Sequence, residues 1–291
     1  MRYVAPQMIY FLKQPVWIKR LGVSILPLCL AACSAPDALN ISGSSTVLPA
    51  VSLAAEKYTA ETGVSVIVNA GGSGSGFNQL AEGQTDIGMM SRGITKGELE
   101  NFSSMKFNEI SLGQDAVVPS ISSEIYDNGV QALTLAQIGD IYSGRVDNWS
   151  EFDGPDRPIF TIDKEVSRGT RQIFMGVVFG NSKAEAPGAD LVTGSNNEEQ
   201  TALTQSDAAI GMLSFAWLNE DVKGLSVILP NGQVVAPSLE NIQNGTFPFV
   251  RDLTVVTRDQ AQPTVQSFID YLLGPEGQAA VEKSGYIRLS E

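Results

Sequence analysis

A chain of 291 residues with 43% hydrophobic and 18% charged side chains is long enough for one or two cored domains. It contains no histidine, which excludes a Ser-His-Asp triad and any histidine-based metal site. A formal net charge of -13 makes nucleic acid and anionic lipid surfaces poor partners.

The first 32 residues read as a leader. Arg2, Lys13, Lys19 and Arg20 precede the apolar run from Leu21 to Leu30, and no acidic residue occurs there. A basic region followed by a short apolar stretch predicts a secretory signal peptide rather than a membrane span. It ends in Leu30-Ala31-Ala32-Cys33, which is similar to a bacterial lipobox, so residues 1–32 are expected to be a lipoprotein signal peptide. Cys33 is then the lipidated first residue and 33–38 a polar linker, placing the protein in the periplasm or on the cell surface, held to the membrane by lipid. The other cysteine, Cys29, leaves with the leader, so no disulfide is expected.

Beyond the linker, short strands alternate with amphipathic helices, the pattern of an α/β protein. Leu39 to Gly43 reads as a strand and Ser44-Ser45-Thr46 as the cap of a helix with Pro49 in its first turn, ending before Gly63. Val64 to Val68 is a β-branched strand, followed by the loop Gly71-Gly72-Ser73-Gly74-Ser75-Gly76 and a helix from Phe77. This order of strand, glycine loop and helix suits either a flexible turn or a small anion, because the following helix offers unpaired N–H groups. Asp86 to Met90 reads as a strand that delivers Ser91 and Arg92 at its carboxyl end, where ligands of open α/β sheets collect. The run Asp115 to Ile121 reads as a passage between domains. Leu135 to Tyr142 predicts a helix, Ile159 to Ile162 a strand, and Asp163 to Arg171 a third small-residue loop before another helix. Asn196 to Thr204 is expected to be helical, Ala208 to Leu213 a buried strand, and Phe247 to Thr257 an extended return. Two helices, Thr264 to Leu273 and Glu276 to Lys283, close the chain.

Taken in series, several segments resemble one family. These are Ser42-Gly43-Ser44-Ser45-Thr46, Gly71 to Gly76, Asp86 to Arg92, Leu133-Thr134-Leu135, Ile141 to Gly144, Asn148-Trp149, Gly169-Thr170-Arg171, Ala209-Ile210-Gly211, and Phe268-Ile269-Asp270 with Gly274 to Gln278. Together they are similar to the solute-binding subunit of the bacterial high-affinity phosphate ABC transporter, a type II periplasmic binding protein. The resemblance implies a two-domain α/β fold, each domain a mixed sheet flanked by helices, with domain I over 39–117 and 250–291 and domain II over 118–249. It implies that inorganic phosphate binds in the cleft between the domains and is delivered to the transmembrane permease subunits of an ABC transporter by a monomeric, non-enzymatic protein without cofactor or metal. Carried over by position, Ser45, Thr46, Ser73, Gly74, Ser75, Ser91 and Arg92 would meet the anion from domain I. Lys164, Arg168, Gly169 and Thr170 would meet it from domain II. The chain departs from the family at Ser91, where some members carry aspartate, at Lys164, where arginine is frequent, and at Arg168, where serine is frequent.

The residue types suit a tetrahedral oxyanion. Charge-assisted hydrogen bonds contribute about 1.5–3 kcal/mol each, and micromolar binding needs about 8 kcal/mol. Hydroxyls donate without adding charge, and Arg92 or Arg168 could grip two oxygens at once. Arg171 is expected to be structural, Asp86 to hold its own loop, and Met89 and Met90 to be core. Rival readings are a binder of sulfate, molybdate or arsenate, an envelope phosphate sensor, and a Ser-Lys hydrolase. The glycine loop lacks the Gly-Lys-Ser/Thr ending of a nucleotide P-loop.

Overall fold

Alternation of β-branched runs with small-residue loops and amphipathic helices produces the expected order of elements. The computed structural model describes residues 38–289, so the leader and Cys33 lie outside the described residues. β1 (Leu39–Gly43) leads to α1 (Leu48–Thr62), β2 (Val66–Ala70), α2 (Ser73–Ala81), β3 (Ile87–Met90) and the short α3 (Lys96–Asn101). A long strand, β4 (Phe107–Ser122), departs from this group. Then come α4 (Ser123–Asp127), β5 (Ala132–Thr134), α5 (Leu135–Tyr142), β6 (Phe160–Lys164), α6 (Gly169–Phe179), β7 (Leu191–Thr193), α7 (Asn196–Thr204) and β8 (Ala209–Ser214). They are followed by β9 (Val222–Gly224), β10 (Ser226–Ile228), β11 (Val234–Val235) and α8 (Leu239–Gln243). β12 (Val250–Arg258) returns the chain, and α9 (Pro263–Leu273), α10 (Pro275–Lys283) and β13 (Ile287–Arg288) complete it. Among the described residues no helix is long and apolar enough to cross a membrane.

The main sheet has the order β2-β1-β3-β12-β4-β8-β6-β7, with β13 and β9 also paired to β4. β1 is parallel to β2 and β3, whereas β12 is antiparallel to both β3 and β4. The two central strands therefore carry the chain out of the first group of elements and back into it. The early part of β4 pairs with β12, and its last residues, from Val117, pair with β8 and β9. A register shift at Leu253/Thr254 marks a bulge in that pairing. A second, small sheet runs β11-β10-β5.

Two large apolar clusters lie on either side of this crossing. One gathers Ile41, Val51, Tyr58, Met89, Leu112, Leu253 and Phe268. The other gathers Ala116, Val118, Tyr142, Trp149, Phe174 and Phe249. The division falls between Leu112 and Ala116 along β4, and between Phe249 and Leu253 along β12. Trp149 is buried and donates its indole N–H to the Ala208 carbonyl at 2.9 Å, which ties its turn to β8.

Local chemistry explains most boundaries. α1 stops at Gly63, whose φ of 74° is the left-handed cap that glycine supplies without strain. α3 and α5 each begin with a reciprocal capping box, Thr95 with Glu98 and Thr134 with Gln137. Met89 and Met90 are core residues, and Asp86 accepts from the Asn40 N–H at 2.9 Å. One expectation fails: no side chain caps α1, whose N-cap is Val47. The hydroxyl of Ser44 turns back to the Thr46 N–H at 3.2 Å, and the Thr46 hydroxyl is turned elsewhere.

Candidate functional site

Three loops end a strand and open a helix, and a fourth segment leaves β3. Thr46 precedes α1, Ser73 opens α2, Thr170 stands in the first turn of α6, and Ser91 follows β3. All four hydroxyl residues are buried. Thr46 Oγ1 lies 3.4 Å from Thr170 Oγ1, and Ser73 Oγ lies 3.4 Å from Ser91 Oγ while accepting the Ser91 N–H at 3.1 Å. Segments more than 120 positions apart thus meet at one place. Gly169 makes that approach possible, since a methyl group there would collide with Ser73 Oγ and lie 2.6 Å from Ser91 Oγ. The Gly74 N–H donates to the Ser167 carbonyl at 3.2 Å beside it.

The cation at this place is Arg251, at the start of β12. Its Nη1 donates to Thr170 Oγ1 at 3.0 Å and to Ser91 Oγ at 3.3 Å, and its Nη2 donates to Thr46 Oγ1 at 3.3 Å. Nε and Nη2 also hold Asp115 Oδ2, at 3.1 and 2.7 Å. All five donors of the guanidinium are engaged. A hydroxyl that accepts from a cation has its own proton free to donate onward, and the donated bond is strengthened by the charge behind it. Asn196, the first residue of α7, adds a donor, with Nδ2 3.0 Å from Thr46 Oγ1.

The cations expected from the sequence are each engaged by a carboxylate. Arg92 Nη2 pairs with Glu98 at 2.7 Å, and both residues line an open groove of about 800 Å³ with Gly74 and Ser75. Lys164 is buried against Glu199 and donates to the Ser195 carbonyl at 3.2 Å. Burial pushes the Lys164 ammonium below its ordinary pKa, and burial likewise pushes Glu199 up, to about 7. Glu199 also accepts the Met212 N–H at 2.6 Å. Arg168 Nε donates to Glu165 at 2.7 Å, and Arg171 pairs with Asp163 at 2.9 Å, which is the structural role expected of it. Ser45 is half-buried and is not among the hydroxyls that Arg251 reaches. Ser75 accepts from Gln79 at 3.1 Å.

Arg251, Asp115 and Asn196 are not among the residues singled out from the sequence. For the first two a signal existed. Each is a charge set in an apolar, extended run, and a charge that enters a core needs a partner. Asn196 reads as an ordinary helix start, and nothing in the sequence marks it. Among the described residues there is no group of His, Cys, Asp or Glu arranged to hold a metal ion.

The family profile described as PBP superfamily domain matches residues 31–276. The chain belongs to the PBP superfamily. Within it, the chain is 30% identical over 260 residues to the phosphate-binding protein PstS of Bacillus subtilis, covering 88% of this chain and 82% of that one. It is 28% identical over 259 residues to the PstS of Borreliella burgdorferi, covering 86% and 89%. Among solved structures, a putative phosphate ABC transporter substrate-binding protein with bound phosphate from Clostridium perfringens aligns with a TM-score of 0.78 at 28% identity, over 87% of this chain and all of that one. An ABC-type phosphate transport receptor from Vibrio cholerae aligns with a TM-score of 0.70 at 28% identity, over 86% and 100%. PBP proteins of this kind are solute-binding proteins for transport, not enzymes, and the mixed α/β architecture is that of the type II class.

Proposed function

We propose that this protein reversibly binds inorganic phosphate between two lobes and delivers it to the permease of an ABC transporter outside the cytoplasm. The observation that carries the reading is the convergence of Thr46, Ser91 and Thr170 on the Arg251 guanidinium, with the Ser73 hydroxyl beside that of Ser91. Four hydroxyls, three of them backed directly by one cation, present O–H donors to a tetrahedral guest, and the N-termini of α2 and α6 add backbone N–H groups at Ser73, Gly169 and Thr170. Phosphate is named because the relatives and the solved structures carry that word in their names.

The lobes are 39–117 with 250–291, and 118–249, joined by β4 and β12. The hydroxyls are buried, so a ligand enters only when the lobes part. Within this site Arg251 is the cation that acts on the anion. Arg92, Lys164 and Arg168 are positioning residues that fix the surrounding loops through Glu98, Glu199 and Glu165. Ser75 lines the adjoining groove.

Isothermal titration with phosphate tests the proposal. The wild-type chain should bind with micromolar or tighter affinity, and Thr170→Val and Ser91→Ala should each weaken binding at least about tenfold. Arg251→Lys keeps a cation for Asp115 but cannot reach three hydroxyls at once, and should weaken binding about a hundredfold. Arg92→Ala should change affinity less than about threefold; a larger loss would return Arg92 to direct contact with the ligand. Absence of phosphate binding by the wild type rejects the function. For the anchor, Cys33→Ser should move the protein from the membrane to the soluble fraction, and retention would reject lipidation.

A further inference from the structure

Around the hydroxyl cluster nearly every group donates, and the Asn196 amide oxygen is a buried acceptor with nothing to accept. Asn196 is 1% exposed, and its Nδ2 donates to Thr46 Oγ1 at 3.0 Å. Its Oδ1, on the same planar amide as that donor, is buried without a hydrogen-bond partner. Leaving such an oxygen unpaired in a closed site is equivalent to about a tenfold to hundredfold loss of affinity. Thr46 Oγ1 receives N–H groups from both Asn196 and Arg251, which occupies its lone pairs and leaves its proton to donate. A tetrahedral anion with no proton offers only acceptors, so it can satisfy the hydroxyls but never the amide oxygen. An anion that keeps one O–H satisfies both.

We infer that Asn196 is a specificity-determining residue: its Oδ1 accepts the single O–H of a protonated tetrahedral oxyanion, favouring hydrogen phosphate or hydrogen arsenate over sulfate. This rests on the oxyanion reading of the site and adds a filter to it. Asp115 Oδ1 is also buried and unpartnered, but the Asp115 carboxylate bonds to Arg251, whereas the Asn196 amide already touches a site hydroxyl. The amide is held from behind. Lys164 donates to the carbonyl of Ser195, the preceding residue, and pairs with Glu199, one turn further along α7. A support of this kind fixes the acceptor before the ligand arrives.

Titration of the full chain at pH 8 with phosphate, sulfate and monofluorophosphate tests the inference. Monofluorophosphate has the charge and shape of hydrogen phosphate, with fluorine in place of the O–H. The wild type should prefer phosphate to both other anions by at least about a hundredfold. Asn196→Leu should narrow those ratios at least tenfold, and Asn196→Asp, which keeps the acceptor in place, should preserve them. Equal weakening of all three anions in Asn196→Leu would overturn the inference, because the amide would then only prop Thr46. Equal wild-type affinity for phosphate and monofluorophosphate would overturn it as well. Should Asn196→Leu fail to fold by circular dichroism, the wild-type ratios and Asn196→Asp decide alone. Failure of the wild type to bind phosphate at all rejects the oxyanion reading itself, a separate outcome.

Discussion

At the scale of single residues, two buried ion pairs bear on the small cluster of hydroxyls. Arg251 with Asp115 and Lys164 with Glu199 are each nearly inaccessible to water. Such pairs lose hydration on both sides, so their value lies in geometry more than in net stability. Removing one partner leaves an uncompensated buried charge. Lys164→Met should therefore lower unfolding stability by about 3–5 kcal/mol in urea denaturation, and the double variant Lys164→Met with Glu199→Leu should recover a large part of that loss. A loss below 1 kcal/mol for the single variant would show that the pair is not buried as described. The pH dependence has a definite sign. Burial raises Glu199 from 4.5 to about 7, so between those values the folded protein keeps a proton that the unfolded chain has released. Stability from this group is full below 4.5 and declines as pH rises through about 7. Glu199→Gln should flatten that part of the profile, and an unchanged slope would reject the assignment.

At the scale of elements, the site is built where strands hand over to helices, and its tolerance is set by glycine. Gly169 begins α6 under the hydroxyls of Ser73 and Ser91, with no room for a methyl group. Gly169→Ala is neutral for the helix itself but wedges the loops apart, so phosphate affinity should fall by at least about thirtyfold, with little change in the unfolding midpoint. Affinity within threefold of wild type would mean that the loops are not closed over the ligand in solution. A contrasting variant sits at the start of α5, where the Thr134 hydroxyl accepts the Gln137 N–H. Thr134→Ala should cost about 1 kcal/mol of stability and leave phosphate affinity unchanged.

At the scale of the whole molecule, β4 and β12 lie side by side through the crossing between the two large cores, and Arg251 and Asp115 occupy opposed positions on them. The cation of the site thus sits on a connecting strand, from which it reaches Thr46 and Ser91 on one side and Thr170 on the other. On the proposed two-lobe reading, closure and ligand capture are a single event. Phosphate at a hundred times its dissociation constant should add about 2.7 kcal/mol to unfolding stability. Saturating phosphate should also reduce the radius of gyration in small-angle scattering, and Arg251→Lys should need far more phosphate for the same change. A radius that does not respond to phosphate would reject hinged closure.

The order of elements was open to reading because local rules set it. The helix at 196–204 was expected and is present, and Gly63 and Pro49 bounded α1. The hydroxyls at 46, 73, 91 and 170 were legible because each follows a strand and precedes a turn or helix, the place where an α/β sheet gathers ligands. Strand ends drifted by a residue or two, as at β2 and β6, because sheet pairing, not propensity, decides where a strand stops. Apart from Arg168 with Glu165 three residues before it, charge partnership was not legible. Arg92 is six residues from Glu98, Lys164 is thirty-five from Glu199, and Arg251 is 136 from Asp115, and no spacing rule connects a cation to a carboxylate across a sheet. The sequence alone determined the order of elements and the hydroxyls, since these follow from contacts near in the chain; the loops read at 71–76 and 163–171 are shorter, because α2 starts at Ser73 and α6 at Gly169. Which cation faces the hydroxyls, and which are neutralised by neighbours, was decided only when the sheet brought β4, β12 and the start of α7 together, because buried charges choose partners by proximity in space.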